Sequence, residues 1–468
     1  MNQIKENKMA VTPVPRLILQ MGIPMILSMM LQAVYNIVDS AFVSNMAHGG
    51  EEAMNALTLV FPMQMLMVAV GIGTGVGAGA VVSRSLGQGD ARKAGRTAGN
   101  AFFLCGVLYL VFLLFGIFGT GAYVRSQASG EADPAVLTMA VSYLRICCVM
   151  SFGILVFSIT EKLLQATGHS VYSTVAQIGG AVTNIVLDPI MIYGLLGCPE
   201  MGVEGAAWAT VIGQIVSAVL GLVFHLRVNR EVKSRLHDLR PDMMLLREIY
   251  TIGLPAIIAQ ALMSLMTYGL NIILGSISPS MQTAYGLYYK IQQFILFAAF
   301  GLRDAITPVI SYSHGMGSRE RIRDGVRSGI VYTAVIMLIG MAAIEVFAVP
   351  FAGLFGLSGR TQALCIGAMH VVSLSFLFAG MNIAFQGIYQ ALGGGIESLV
   401  ISLCRQLLII FPLVLIAAHL AQADPARSAL VWAAFPVTEL VTMLIGIVLL
   451  RRLWARRVGE LHARPVTA

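Results

Sequence analysis

Charge is what this 468-residue chain has least of: Asp, Glu, Lys and Arg together make up 11% of it, where a soluble globular chain carries about 25%. So little charge cannot solvate the surface of a chain this long, which excludes an ordinary soluble enzyme or nucleic-acid-binding domain. Cysteine is scarce too. The six residues Cys105, Cys147, Cys148, Cys198, Cys365 and Cys404 show no paired metal spacing, so neither a disulfide framework nor a zinc site is expected, and they read as small core residues. The glycine run GIGTGVGAGA lacks the Gly-Lys-Ser/Thr that completes a phosphate-binding loop and has no βαβ context. No ATPase site means no primary pump, and the chain is not expected to be an enzyme. The basic start MNQIKENKMAVTPVPR leads into an apolar run with no small-residue cleavage site, so no removable signal peptide is expected.

What is there is hydrophobic. Apolar residues make up 57% of the chain and the mean hydropathy is +0.80, the composition of an all-α polytopic membrane protein. Against a requirement of about 20 apolar residues per span, twelve spans are predicted near 17–43, 56–82, 98–119, 136–160, 171–196, 204–226, 247–275, 281–310, 326–350, 362–390, 396–420 and 428–450. An even number of spans puts both termini on one side. The N-terminus, the even-numbered loops counted with Arg247 and Arg327 at their edges, and the tail hold 23 Lys and Arg, the odd-numbered loops three, and Arg145, Lys290, Arg303 and Arg405 fall deeper within spans. Positive charge stays inside, so both termini are expected in the cytoplasm. The tail RRLWARRVGELHARP reads as an anchor to membrane lipids rather than to nucleic acid.

A weak repeat divides the chain. Gly22-Ile23-Pro24 recurs as Gly253-Leu254-Pro255, SRSLGQGDARKAGR as SYSHGMGSRERIRDG, LLQATG as IYQALGG, and Trp208 falls opposite Trp432, all at offsets of about 224–231 residues. Such repeats are the usual construction of secondary transporters. The predicted organisation is two six-helix bundles, residues 1–226 and 247–450, with a cytoplasmic linker at 227–246 and a basic tail at 451–468. Within span two, Gly71, Gly75 and Gly79 line one helical face and predict close packing.

Two acids stand out because a carboxylate costs roughly 2.5–3.5 kcal/mol at a membrane-helix centre. Asp39 lies in LQAVYNIVDSAFV and Asp188 in VTNIVLDPIMIYG. Helical positions three and four apart share a face, which aligns Asp39 with Tyr35, Gln32 and Ser28, and Asp188 with Asn184 and Gln177. Spans one and five run the same way, so the two acids can reach one depth, where both cannot cheaply ionise together. That is a proton or cation switch. Methionine suits adaptable binding surfaces, and Met29 and Met63 near Asp39, with Gln32, Tyr35, and Gln260 and Met263 of span seven, are the expected substrate-lining set. Pro24 removes a helical hydrogen bond and is the expected hinge. In the second half, Glu439 is expected to pair with Lys290 or Arg405, Glu345 to be interfacial, and Arg303 with Asp304 to snorkel at the cytoplasmic end. His48, His169 and His314 fall in predicted loops and carry no ligand spacing.

Over essentially its whole length the chain resembles the multidrug and toxic compound extrusion (MATE) family: two six-helix halves, the GxP of spans one and seven, the SLGQGD-type loop and its echo, and the VD and LDP aspartates. The resemblance is to the bacterial and archaeal branch with its ion site in the N-terminal lobe. It implies alternating access, export of lipophilic, often cationic compounds against a proton or sodium gradient, and ion binding at Asp39, Asn184, Asp188 and Thr210, with sodium, if it is the coupling ion, held at Asp39 and Asp188. No other cofactor is implied, and the transporter is expected to work as a monomer. Members with an ion site in the C-terminal lobe resemble one another in acids on spans seven and ten; here Gln260 and Asn382 stand there, so that site is expected to be missing. The rival reading is a flippase of lipid-linked sugars or another amphipathic lipid, whose cavity should be rich in Arg and Lys.

Overall fold

The computed structural model describes residues 8–46, 49–127, 133–232, 236–354, 359–424, 430–459 and 461. His48, part of the linker and the end of the basic tail lie outside the described residues. Every regular element among those described is helical, as lipid requires: with no water to satisfy them, backbone N–H and C=O groups must bond within the segment.

Ten helices are long and apolar enough to cross a membrane, and two bent pairs bring the number of spans to as many as twelve. Spans one to three are Val14–Ser44, Gly50–Gly87 and Ala91–Phe118. Span four is broken into Pro134–Val149 and Phe152–Ala166, and spans five and six are Ser170–Ile192 and Gly202–Val228. Spans seven to nine are Met243–Ile277, Pro279–Gly315 and Arg319–Leu354. Span ten is broken into Gly359–Ser373 and Phe376–Ala391, span eleven runs from Gly395 to Ala423 through a π-helical turn at Cys404–Leu408, and span twelve is Leu430–Arg457. The bends in spans four and ten are 47° and 53°, and the serines that open their second halves, Ser151 and Ser375, lie 224 residues apart. The repeat offset seen in sequence therefore reappears as a shared break.

Packing groups the chain into two units, Leu27–Ile257 and Met1–Ile26 with Ile258–Ala468. Each boundary falls inside a GxP-bearing helix. Within the first unit, the start of span seven lies on span two, where a Cβ on Gly253 would come within 2.9 Å of the Gly73 carbonyl oxygen. Within the second, the start of span one lies on span eight, where a Cβ on Gly22 would come within 2.9 Å of Leu302.

The glycine run of span two serves two neighbours. Cβ atoms on Gly71 and Gly75 would stand 2.9 and 2.8 Å from Ser158 Oγ and O, and one on Gly79 3.2 Å from Lys162 O, so this face seats the second half of span four. Gly73 and Gly77 face the other way, towards Gly253 of span seven. The first face is the one predicted; the second follows from the same spacing. The linker is tied to span three: Asn100 Oδ1 accepts from Asp242 N at 2.8 Å and its amide reaches Arg240 O at 3.3 Å, while Lys93 and Arg96 pair with Glu248 and Asp242 at 2.9 and 2.5 Å.

Candidate functional site

Spans one and five meet in the first unit along their polar stripes. Ser28 Oγ donates to Gln177 Oε1, and Gln177 Nε2 donates to Gln32 Oε1 at 3.2 Å. Tyr193, at the end of span five, donates its hydroxyl to Phe42 O at 2.7 Å and meets the Phe42 ring edge-on. These ties fix the two helices in parallel register. Asp39 and Asp188 are thereby close enough for their charges to act on each other.

Asp188 is fully buried and Asn184 nearly so. Asn184, one turn earlier, donates its amide to Asp188 Oδ1 at 3.2 Å and also reaches Thr210 Oγ1 of span six at 3.5 Å. The four residues that the resemblance assigned to the ion, Asp39, Asn184, Asp188 and Thr210, therefore share one enclosure. Two of its carboxylate oxygens, Asp39 Oδ1 and Asp188 Oδ2, and the Asn184 amide oxygen are buried with no hydrogen-bond partner. No Lys or Arg among the described residues is paired with either acid. Unpaired acceptors in a place with no counter-ion are what a proton or a small cation would satisfy.

Two residues of this enclosure were missed in the sequence. Tyr143 of span four, 3% exposed, accepts from Gln64 Nε2 of span two at 3.1 Å, lies in hydrogen-bonding reach of Thr210 and feels the Asp39 charge. Gln64 was the available signal, an amide inside the apolar run FPMQMLM; Tyr143 sits in AVSYLRICC, where nothing distinguishes it from an interfacial ring. Of the expected substrate-lining residues, Met29, Gln32, Tyr35 and Met63 belong to the first unit and Gln260 and Met263 to the second. Pro24 lies inside a helix that runs unbroken from Val14 to Ser44.

The second unit holds a different polar cluster. Arg405 Nε bonds Glu439 Oε1 at 2.5 Å, and Asn382 Nδ2 bonds Glu439 Oε2 at 2.8 Å. Arg405 is thus the partner of Glu439, while Lys290 is exposed. Arg303 and Asp304 do not snorkel: their side chains are 13% and 5% exposed, they pair with each other at 2.8 Å, and the Arg303 guanidinium lies 5.0 Å from the centre of the Phe300 ring. Both are shielded, so bonding each other is cheaper than standing apart. Glu345 meets His370 and Ser373, each at 2.5 Å, with its side chain 37% exposed. His314 closes span eight rather than lying in a loop.

The MatE family model matches residues 24–190 and 255–416, one stretch in each half. The chain is similar to the multidrug export protein MepA of Staphylococcus aureus (strain bovine RF122 / ET3-1), 25% identical over 85% of this chain and 86% of that one, and to that of Staphylococcus saprophyticus, 24% identical over 83% and 84%. Its fold is shared with the outward-facing structure of a multidrug resistance MATE family transporter, with a TM-score of 0.89 at 24% identity over 96% of this chain and 98% of that one. With a family match over more than half of its length and a shared fold, this multi-pass membrane protein belongs to the MATE family of transporters.

Proposed function

We propose that the protein is a secondary active multidrug exporter that binds lipophilic, often cationic compounds and exchanges them for protons or sodium ions by alternating access, in a bacterial cytoplasmic membrane with both termini inside. The observation that carries this reading is the acidic enclosure itself. Asp39 and Asp188 face each other's charge with unpartnered oxygens and no paired base. Doubly ionised, the pair repels; a proton, a small cation or a cationic substrate each relieves that repulsion, and they compete to do so. A group that binds ion and substrate at each other's expense is the element that exchange requires.

Asn184, Thr210 and Tyr143 supply dipoles around the acids. Gln32, Tyr35 and Met29 of span one and Met63 of span two are the polar and adaptable apolar residues that this reading assigns to the substrate. The names of the relatives, multidrug export proteins, support drugs as the substrate class. The flippase reading wants unneutralised bases in the cavity, and Arg405, a buried base of the second unit, is already held by Glu439.

The test is efflux of a fluorescent lipophilic cation from proteoliposomes with a pH gradient and a sodium gradient imposed separately. Transport driven by one of them supports exchange and names the ion. Transport indifferent to both, or transport of a lipid-linked sugar in its place, overturns the reading.

A further inference from the structure

Span four carries two consecutive cysteines, Cys147 and Cys148, in SYLRICCVM, and span two carries three methionines in FPMQMLM. Neighbours on an α-helix point about 100° apart, yet both thiols reach the same partner helix. Cys148 Sγ donates to Met67 Sδ at 3.8 Å, and Cys147 Sγ accepts from Gln64 Nε2 at 3.8 Å. Gln64 and Met67 stand three residues apart and so share one face of span two. Met67, Cys147 and Cys148 are all buried. Span three closes the far side, where a Cβ on Gly116 would come within 2.9 Å of Cys148 Cβ. The result is a shielded sulfur cluster in the first unit, and the exchange of ions at Asp39 and Asp188 makes no use of it.

Thioether and thiolate sulfur are soft donors that select soft ions such as copper(I). A metal–sulfur bond is about 2.3 Å long, so two sulfurs sharing one metal at an angle near about 110° stand about 3.8 Å apart. Cys148 and Met67 already have that separation. Cys147 supplies a further thiol from the next position, and Met63, half-buried one turn before Met67, adds a thioether on the same face of span two.

Charge and donor type select among the metals. On binding, the Cys148 S–H bond breaks, its proton leaves to solvent, and the metal bonds to the thiolate and to Met67 Sδ; no electron moves. One positive charge enters as one leaves, so a monovalent ion adds no net charge to a shielded place, whereas a divalent ion on the same thiolate would strand one. Zinc also wants four donors drawn from thiolate, imidazole and carboxylate, and no group of three His, Cys, Asp or Glu among the described residues can hold a metal. We propose that Cys148 and Met67, assisted by Cys147, form a binding site for a soft monovalent metal ion, copper(I) or silver(I), which ties span two to the first half of span four.

Silver(I) is the probe, because it takes the same donors without a change of oxidation state. Silver bound by the detergent-solubilised full-length protein is measured by equilibrium dialysis in chloride-free buffer, with no gradient present, so that a failure of ion exchange would not disturb the result. The exposed thiol Cys198 is first replaced, Cys198→Ala, and this protein should bind one silver ion tightly. Even outer-shell changes cost metal sites about 10–100-fold, so Cys148→Ala, which removes the thiolate itself, should weaken that ion more than about a hundredfold. Met67→Leu, which keeps the volume and removes only the thioether, should weaken it about tenfold or more. Cys365→Ala, a buried thiol of the second unit, should leave it within about twofold. Met67→Leu decides the matter if Cys148→Ala fails to elute as a single species. No silver bound by the Cys198→Ala protein, tight binding kept in Cys148→Ala or Met67→Leu, an equal loss in Cys365→Ala, or displacement of the silver by an equal concentration of zinc would each overturn the proposal.

Discussion

Asn382 donates its amide to both oxygens that Glu439 offers it, the backbone carbonyl at 3.0 Å and the side-chain Oε2 at 2.8 Å. This makes the asparagine the complement of a carboxylate already in place. An acid at 382 would set two carboxylates against the single guanidinium of Arg405, whereas the amide leaves the Arg405–Glu439 pair internally neutralised. Asn382→Leu should strand Oε2 of Glu439 and lower stability by about 1–3 kcal/mol, visible as a lower midpoint in thermal unfolding. Asn382→Ala and Gln260→Ala should nonetheless keep the ratio of substrate moved to ion moved close to that of the unmodified protein. A coupling defect as deep as that of an Asp39 variant would show that the second half carries ions after all.

Asp39→Asn and Asp188→Asn preserve volume and remove charge. Each should abolish gradient-driven efflux while the protein still inserts and elutes as a single species. Tyr143→Phe removes only a hydroxyl from the same enclosure, and the loss of one neutral hydrogen bond should slow efflux by about five- to tenfold without abolishing it. Vesicle efflux assays at fixed gradient separate the three; undiminished transport in both aspartate variants would sink the ion assignment.

The legible part of this molecule was the part written by the membrane. A spanning helix must be apolar along its length and closed in its own hydrogen bonds, so the predicted apolar runs nearly coincide with the helices: the run predicted at 326–350 lies inside Arg319–Leu354, and that at 204–226 inside Gly202–Val228. The stripes of Asp39 and Asp188 were legible for the same reason, since polar groups there are few and periodic. The breaks at Ser151 and Ser375 were not, because no proline marks either one and the helix simply restarts on a serine. Nor was the π-helical turn at Cys404–Leu408, whose residues are unremarkable helix formers. Glu439 could be seen to need a base, but choosing Arg405 over Lys290 required knowing which helix faces meet.

The glycines of span two give a prediction about packing alone. A Cβ at Gly75 would press on the backbone oxygen of Ser158, which cannot swing away as a side chain could. Gly75→Val should therefore destabilise by at least the 1–3 kcal/mol typical of overpacking, and Gly73→Val should do the same through the backbone nitrogen of Ile257. Gly106 has open space where its Cβ would stand, so Gly106→Ala should leave the unfolding midpoint unchanged or slightly raised, as the helix loses a glycine. Equal midpoints for all three would mean that span two is not packed as closely as its glycines require.

Pro24 offers the sharpest test of motion. Span one runs continuously from Val14 to Ser44, yet Pro24 cannot donate the hydrogen bond that its helical position calls for, to the carbonyl of Gln20. The ladder therefore has one missing rung fifteen residues before Asp39, and bending there breaks less than bending anywhere else in the helix. If ion occupancy at Asp39 selects between straight and bent forms, the bend lies on the transport cycle and its loss should appear in the rate. Pro24→Ala restores the rung and stiffens the helix. Efflux should then slow severalfold while the affinity for a lipophilic cation, measured by fluorescence titration in detergent, changes little. Unchanged turnover rules out a hinge at this residue, and lost affinity at normal turnover makes Pro24 a wall of the substrate site.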